Sequence, residues 1–212
     1  MISRKIIFGI LIIFLILSCI NAPEYAYEDG ALILQHLGTV LLLIPLIIDI
    51  IVSEDDFRIK YITYICYVSF IFLHIIGARY LYSNVPYDVW AKKLFNLNIT
   101  INGIHGNKYD RIVHFAFGLL VMPLSIHYSK RIIKSDQLLT IILLSWCVIQ
   151  TLSMMYEIFE WFLSFVLDEE GEGYNGQQGD TWDAQKDMAF ALLGSLFSSL
   201  IYFYHKNLKR SK

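Results

Sequence analysis

Nearly uninterrupted apolar stretches of about 20 residues recur along the chain, at roughly 5–21, 31–52, 61–80, 111–129, 137–166 and 186–204. A helix rises about 1.5 Å per residue, so each stretch matches the roughly 30 Å hydrocarbon core of a bilayer. A spanning strand would need only about 9–11 residues and would alternate apolar with polar side chains, and these runs do neither. The chain therefore reads as an all-α, polytopic membrane bundle of about six transmembrane helices. The spans take up well over half of its length, so residues 1–212 form a single integral membrane domain in a cell (cytoplasmic or inner) membrane, with no room for a separate soluble domain.

Composition agrees: 56% of residues are hydrophobic, 17% are charged and the mean hydropathy is +0.52. Soluble domains are about 45–50% apolar and about 25% charged, which sets aside a soluble enzyme or a disordered chain. A net charge of -2 offers no basic field to a polyanion, so the partner implied is the lipid bilayer and not nucleic acid. Cys19, Cys66 and Cys147 lie inside apolar runs and read as small buried hydrophobes, not as a disulfide framework.

Lys and Arg set the expected orientation. With a cytoplasmic N-terminus, the inner segments hold Arg4, Lys5, Arg58, Lys60, Lys130, Arg131, Lys134, Lys206, Lys209, Arg210 and Lys212. The outer segments hold only Arg79, Lys92, Lys93, Lys108, Arg111 and Lys186. The positive-inside rule thus places both termini in the cytoplasm. Arg4-Lys5, an apolar run and Leu17-Ser18-Cys19 also fit a cleaved signal sequence, which would leave five spans with the same sidedness.

Ionisable residues inside spans are costly and mark functional sites by default. Here they gather toward the outer ends: His36, His74 and His114, then Glu157 and Glu160, then Asp183 and Asp187 at the start of the last span. Asp49 and His127, near the cytoplasmic edge, are the exceptions. Asp110 and His114 are i,i+4, Glu157 and Glu160 i,i+3, Asp183 and Asp187 i,i+4, so each pair shares one helix face. Carboxylates and imidazoles arriving in pairs from neighbouring helices are how bundle-core metal sites are built. The expected ligands are His74, Asp110, His114, Asp183 and Asp187, with Glu157 and Glu160 as catalytic acid or base and Arg79, Arg111 and Asp180 in support. An oxygen and nitrogen donor set without thiolates suits a divalent Zn or Mn.

Structural readings compete with these. Asp110 can cap the fourth span, and Asp180 with Asp183 can cap the sixth. Glu157 and Glu160 can pair with Arg79 and Arg111, and His36 reads as a packed, hydrogen-bonded histidine. Tyr80, Tyr82, Trp90, Trp161 and Trp182 read as an interfacial belt. The connection 81–110, with Val85-Pro86, reads as a lid or re-entrant segment, and Asn98-Ile99-Thr100 as a sequon that matters only in a eukaryotic secretory setting. The acidic, Gly-rich stretch 167–185, with Asp168, Glu169, Glu170 and Glu172, reads as a solvated loop whose Gly179–Asp183 end packs back onto the bundle.

Four strings in order resemble the YjdF family of prokaryotic inner-membrane proteins. They are His74-Ile-Ile-Gly-Ala-Arg-Tyr80-Leu-Tyr82-Ser-Asn-Val-Pro86, Tyr109-Asp110-Arg111-Ile-Val-His114-Phe-Ala-Phe-Gly118, Tyr156-Glu157-Ile-Phe-Glu160-Trp161 and Gln178-Gly179-Asp180-Thr-Trp182-Asp183-Ala-Gln185-Lys-Asp187-Met188. The resemblance, over about 30–204, implies a topology and a motif set, not a reaction. A looser similarity extends to VanZ-like membrane proteins, in an Asp-x-x-x-His helix start, a later acidic pair and an Asp-rich start to the last helix followed by Gly194. It implies, by analogy alone, a connection with the cell envelope and glycopeptide antibiotics.

Three functions are therefore in competition. One is a metal-assisted membrane enzyme acting on a lipid or envelope precursor at the outer leaflet. Another is a non-catalytic component whose polar network locks the helices. The last is a small cation or proton transporter, which needs a polar path inward where the spans supply little beyond Thr63, Ser69, Ser145 and Gln150.

Overall fold

Each apolar run of the sequence is a helix in the computed structural model, which describes residues 2–52, 58–97, 108–133, 137–166 and 180–210. The order is α1 (Arg4–Ile20), a 3₁₀ turn (Glu24–Gly30), α2 (Ala31–Ile51), α3 (Tyr61–Arg79), α4 (Tyr87–Phe95), α5 (Tyr109–Ile133), α6 (Leu138–Val166) and α7 (Asp183–Arg210). No strand occurs among the described residues. Five helices are long and apolar enough to cross a bilayer: Ala31–Ile51, Tyr61–Arg79, Tyr109–Ile133, Leu138–Leu163 and Asp183–Lys206. At 17 residues, α1 falls below the stretch of about 18 residues ordinarily read as a span. The acidic loop residues Asp168, Glu169, Glu170 and Glu172, like the sequon at 98–100, lie outside the described residues.

The exterior of the bundle is apolar, and its buried polar side chains lie beside an apolar core that includes Tyr64, Ile71, Ile75, Met122 and Ile149. On α2, Ile33, Leu37, Val40, Leu41 and Ile44 are exposed, while Gln35, His36, Thr39 and Asp49 are buried. Hydrocarbon tolerates the first set on the surface and drives the second toward partners inside. Central α3 packs on α1, α2 and α5, with Phe72 4.9 Å from Phe14 and Phe70 5.4 Å from Phe117 between ring centroids.

The tightest helix pair is α5 with α7. A Cβ on Gly118 would run into the carbonyl oxygen of Ala191 and lie 2.7 Å from the amide nitrogen of Ser195. One on Gly194 would meet the carbonyl oxygen of Phe115 and lie 2.8 Å from the nitrogen of Leu119. The facing side of α7 continues in small buried residues, Ala191, Ser195 and Ser198, so the two backbones meet as small-residue membrane helices do.

Polar contacts tie the two ends. At one, Arg4 Nη1 is 2.7 Å from Asp49 Oδ2, the Ile59 amide donates to Asp49 Oδ1 at 2.6 Å, and Arg4 also donates to the Ile59 carbonyl. At the other, Arg79 donates to the Asn21 carbonyl at 2.7 Å and the Tyr109 hydroxyl to the Leu73 carbonyl at 2.9 Å. The connection expected to form a lid contains α4, with Asp88 in its first turn and Lys92 and Lys93 in its last, charges that complement the helix dipole. Trp90 of α4 sits edge-on to Tyr80 at 5.9 Å.

Candidate functional site

The α5–α7 crossing determines what meets at its end. Gly118 lies one turn beyond His114 and Ala191 one turn beyond Asp187, so close backbones at the first pair bring the second pair together. Both helices begin earlier than hydropathy alone indicates, and Asp110 and Asp183 fall in their first turns, where a helix N-terminus favours negative charge. From α6, Ser153, Glu157 and Glu160 are directed inward and buried.

His114 is central to the group. Its Nε2 lies 3.0 Å from Glu157 Oε1 and 3.6 Å from Asp110 Oδ1, and its Nδ1 lies 3.5 Å from Ser153 Oγ. One ligand atom from each of Asp110, His114 and Asp187 falls within 4.8 Å of the others. Asp187 is 1% exposed, and its Oδ1 makes no hydrogen bond.

The nearest cation is largely committed elsewhere. Arg111 Nη2 is 2.5 Å from Asp180 Oδ2 and 2.9 Å from Asp183 Oδ1, while its Nε is 3.9 Å from Asp187 Oδ1, beyond hydrogen-bond reach. Lys186 Nζ reaches Asp180 at 2.6 Å. With Lys186 and Arg111 donating to it, the Asp180 carboxyl is held well below the usual carboxylate range. Its Oδ1 also accepts the Trp182 amide at 3.2 Å, a local cap before α7. Asp110, Glu157 and Asp187 are thus left facing one imidazole, and carboxylates in a low-dielectric interior need a proton or a cation between them.

Other expected members have different surroundings. The Nδ1 of His74 is hydrogen-bonded to the Tyr82 hydroxyl, and His74 is not in the three-ligand group. Tyr82 is 6% exposed, so it belongs to the interior and not to the aromatic belt; Leu81 and Tyr82 both have left-handed backbone (φ 50° and 54°), turning the ring back under α3. Trp161 and Trp182 are exposed, as belt residues are. His36 Nδ1 meets Thr39 Oγ1 at 3.0 Å. Glu160 is buried and hydrogen-bonded with Tyr156 one turn back. The ion pairs expected between the two glutamates and Arg79 or Arg111 do not form: Arg79 reaches the wrong side of the bundle and Arg111 faces α7. Ser153 and Tyr82 are the partners that sequence reading passed over, and the only signal for Ser153 is its place one turn before Glu157 on the same face.

Two cavities reach this group. One of about 310 Å³ lies between α6 and α7, with Glu157, Trp161, Thr181 and Asp183 in its wall. A second of about 230 Å³ lies on the opposite side and touches Asp110 and His114.

Residues 4–207 match the family model described as "Predicted membrane protein (DUF2238)". The chain is also 30% identical over 148 residues to "Inner membrane protein YjdF" of Escherichia coli (strain K12), an alignment that covers 67% of this chain and 68% of that protein. No solved structure matches. Helices long enough to span a bilayer, an apolar exterior and a family match over nearly its whole length lead to one conclusion: the chain is a multi-pass membrane protein that belongs to the DUF2238 family.

Proposed function

We propose that the chain is an inner-membrane enzyme that uses a divalent metal, held by Asp110, His114 and Asp187, to act on a lipid or envelope precursor at the outer leaflet. The observation that carries it is the convergence of three ligand atoms within 4.8 Å at a buried point where the Asp187 oxygen has no hydrogen bond. Zinc sites that do chemistry take three protein ligands of this kind and keep a position open, and Mn accepts the same donors. The Ser153 hydroxyl beside His114 Nδ1 would fix the tautomer that leaves Nε2 as ligand. Glu157, in the wall of the α6–α7 cavity, would take a proton from a water there, with Glu160 behind it, while Asp180, Asp183 and Arg111 hold α5 against α7. Arg79 has no part in this arrangement, being engaged with Asn21.

In the topology that goes with this reading, α1 is retained as a sixth span of one integral domain, and both termini are cytoplasmic. Burial of Leu11 and the Arg4–Asp49 pair support a docked α1. A second reading, a structural network alone, draws on the Arg111 bridge between Asp180 and Asp183. Transport draws less support, because Ser145, Ser195 and Ser199 donate to helix carbonyls instead of lining a path. Elemental analysis of the detergent-purified chain separates these: Zn or Mn near one per chain in wild type, lost in Asp187→Asn and His114→Ala that still melt cooperatively, is the expected result. Metal-free wild type at micromolar Zn and Mn leaves the structural network as the answer.

A further inference from the structure

The cavity on the far side of the cluster differs in character from the one beside Glu157. It lies between α2, α3, α5 and α6, and α2 and α6 are not among the closely packed pairs, so its wall is incomplete there. Leu41 of α2 and Leu152 of α6 flank that gap and are 66% and 49% exposed, facing hydrocarbon in a membrane-embedded chain.

Its surface is almost entirely apolar, with Leu42, Phe70 and Phe117 inside the gap flanked by Leu41 and Leu152, and with the side chains of His74, Tyr82, Asp110 and His114 in its wall beside the cluster. Phe117 lies seven residues beyond Asp110 on α5, which at about 1.5 Å per residue is about 10 Å of depth. His74 is 4% exposed, its Nδ1 is fixed by Tyr82, and its Nε2 has no hydrogen-bond partner. A side chain at Gly38 would bring its Cβ to 3.3 Å from the imidazole Cε1, so glycine lets α2 pack closely on that edge of the ring.

An apolar cavity that is open sideways to the bilayer matches a hydrocarbon chain that enters from the membrane and stays attached to a molecule outside. The volume of about 230 Å³ is below the roughly 300–1,000 Å³ of sites that enclose a whole small molecule, so it suits part of a chain whose remainder lies outside. We propose that this cavity is a lateral port that seats one hydrocarbon chain of a membrane lipid between α2 and α6. The seating of the chain does not depend on a metal or on the function proposed above.

The test uses the full chain in phospholipid nanodiscs doped with phosphatidylcholine bearing a mid-chain diazirine, followed by photolysis and peptide mass spectrometry. Labelling of buried Phe70 and of Phe117 is expected in wild type. In the Leu41→Trp, Leu152→Trp variant, which plugs the gap from two exposed positions, that labelling is lost while Ile33, 73% exposed, is labelled as before. Unlabelled Phe70 and Phe117 beside labelled Ile33, or labelling indifferent to the plug, overturns the proposal. Asp187→Asn, outside this cavity, is expected to lose metal yet keep the labelling, so a metal-free wild type with intact labelling refutes the metal site and leaves the port standing.

Discussion

Nε2 of His114 and Oε1 of Glu157 lie 3.0 Å apart across the α5–α6 interface, with Asp110 Oδ1 3.6 Å from the same nitrogen. If Asp110, His114 and Asp187 are the ligands and Glu157 the base, removing Glu157's charge leaves the ligand set whole. Glu157→Gln is therefore expected to keep its Zn or Mn, and Asp187→Asn to lose it. Thermal melts give a second readout, since a metal at 100 times its Kd stabilises by about 2.7 kcal/mol. Wild type and Glu157→Gln are expected to melt higher with added Zn and lower with a chelator, and Asp187→Asn to respond to neither.

The glycine contact between α5 and α7 predicts a cost out of scale with the chemical change. A methyl at Gly118 or Gly194 meets backbone on the opposite helix, which no rotamer change relieves. Overpacking typically costs about 1–3 kcal/mol, and Gly118→Ala and Gly194→Ala are expected at or above the top of that range in denaturation by a strong detergent. Gly9→Ala, with nothing within 4 Å of the added carbon, is the neutral control. Because the contact lies one turn from His114 and Asp187, either substitution is also expected to weaken metal retention.

This contact marks the limit of what the sequence makes legible. Helices were readable because length and hydropathy are local properties, and the polar cluster because an ionisable residue within a span is conspicuous. The i,i+4 pairing of Asp110 with His114 is likewise set within one helix. Partners between helices are not local. Arg111 is aimed at Asp183 and not at the glutamates because the Gly118–Gly194 crossing brings α7 closest to α5, and single-sequence reading does not give crossing positions. His74 carries the same label as His114 in a sequence, yet the left-handed turn at Leu81–Tyr82 supplies it with a tyrosine. Nine-residue α4 is too short for periodicity to separate it from a loop.

The Arg4–Asp49 pair, 45 residues apart, holds α1 to α2 and, through the Ile59 backbone, to the start of α3. Its two halves are unequal: the Asp49 side chain is fully buried, while that of Arg4 is 20% exposed. Arg4→Met leaves a buried carboxylate without its cation, for which breaking such pairs costs about 3–5 kcal/mol. Asp49→Asn keeps an oxygen for the Ile59 amide and leaves Arg4 free to extend to the interface, so a smaller loss is expected. In a double-mutant cycle read by unfolding, the double variant is expected to be less destabilised than the sum of the single ones, and additivity would show that the pair is not coupled.

Asp180, just outside the last span, gives the acid dependence. Hydrogen bonds from Lys186 and Arg111 depress its folded-state pKa, so its contribution is fully present above the unfolded value of about 3.9 and is lost as pH falls through the folded value. Stability of the α5–α7 contact is therefore expected to hold from neutral pH down to about 4 and to decline below it as the carboxylate protonates and releases Arg111. Asp180→Asn removes that titration. Melting curves between pH 7 and 2.5 are expected to show wild type above the variant at neutral pH and the two converging at the acid end. Parallel curves would mean that Asp180 contributes nothing to the contact, and that Asp183 alone anchors Arg111.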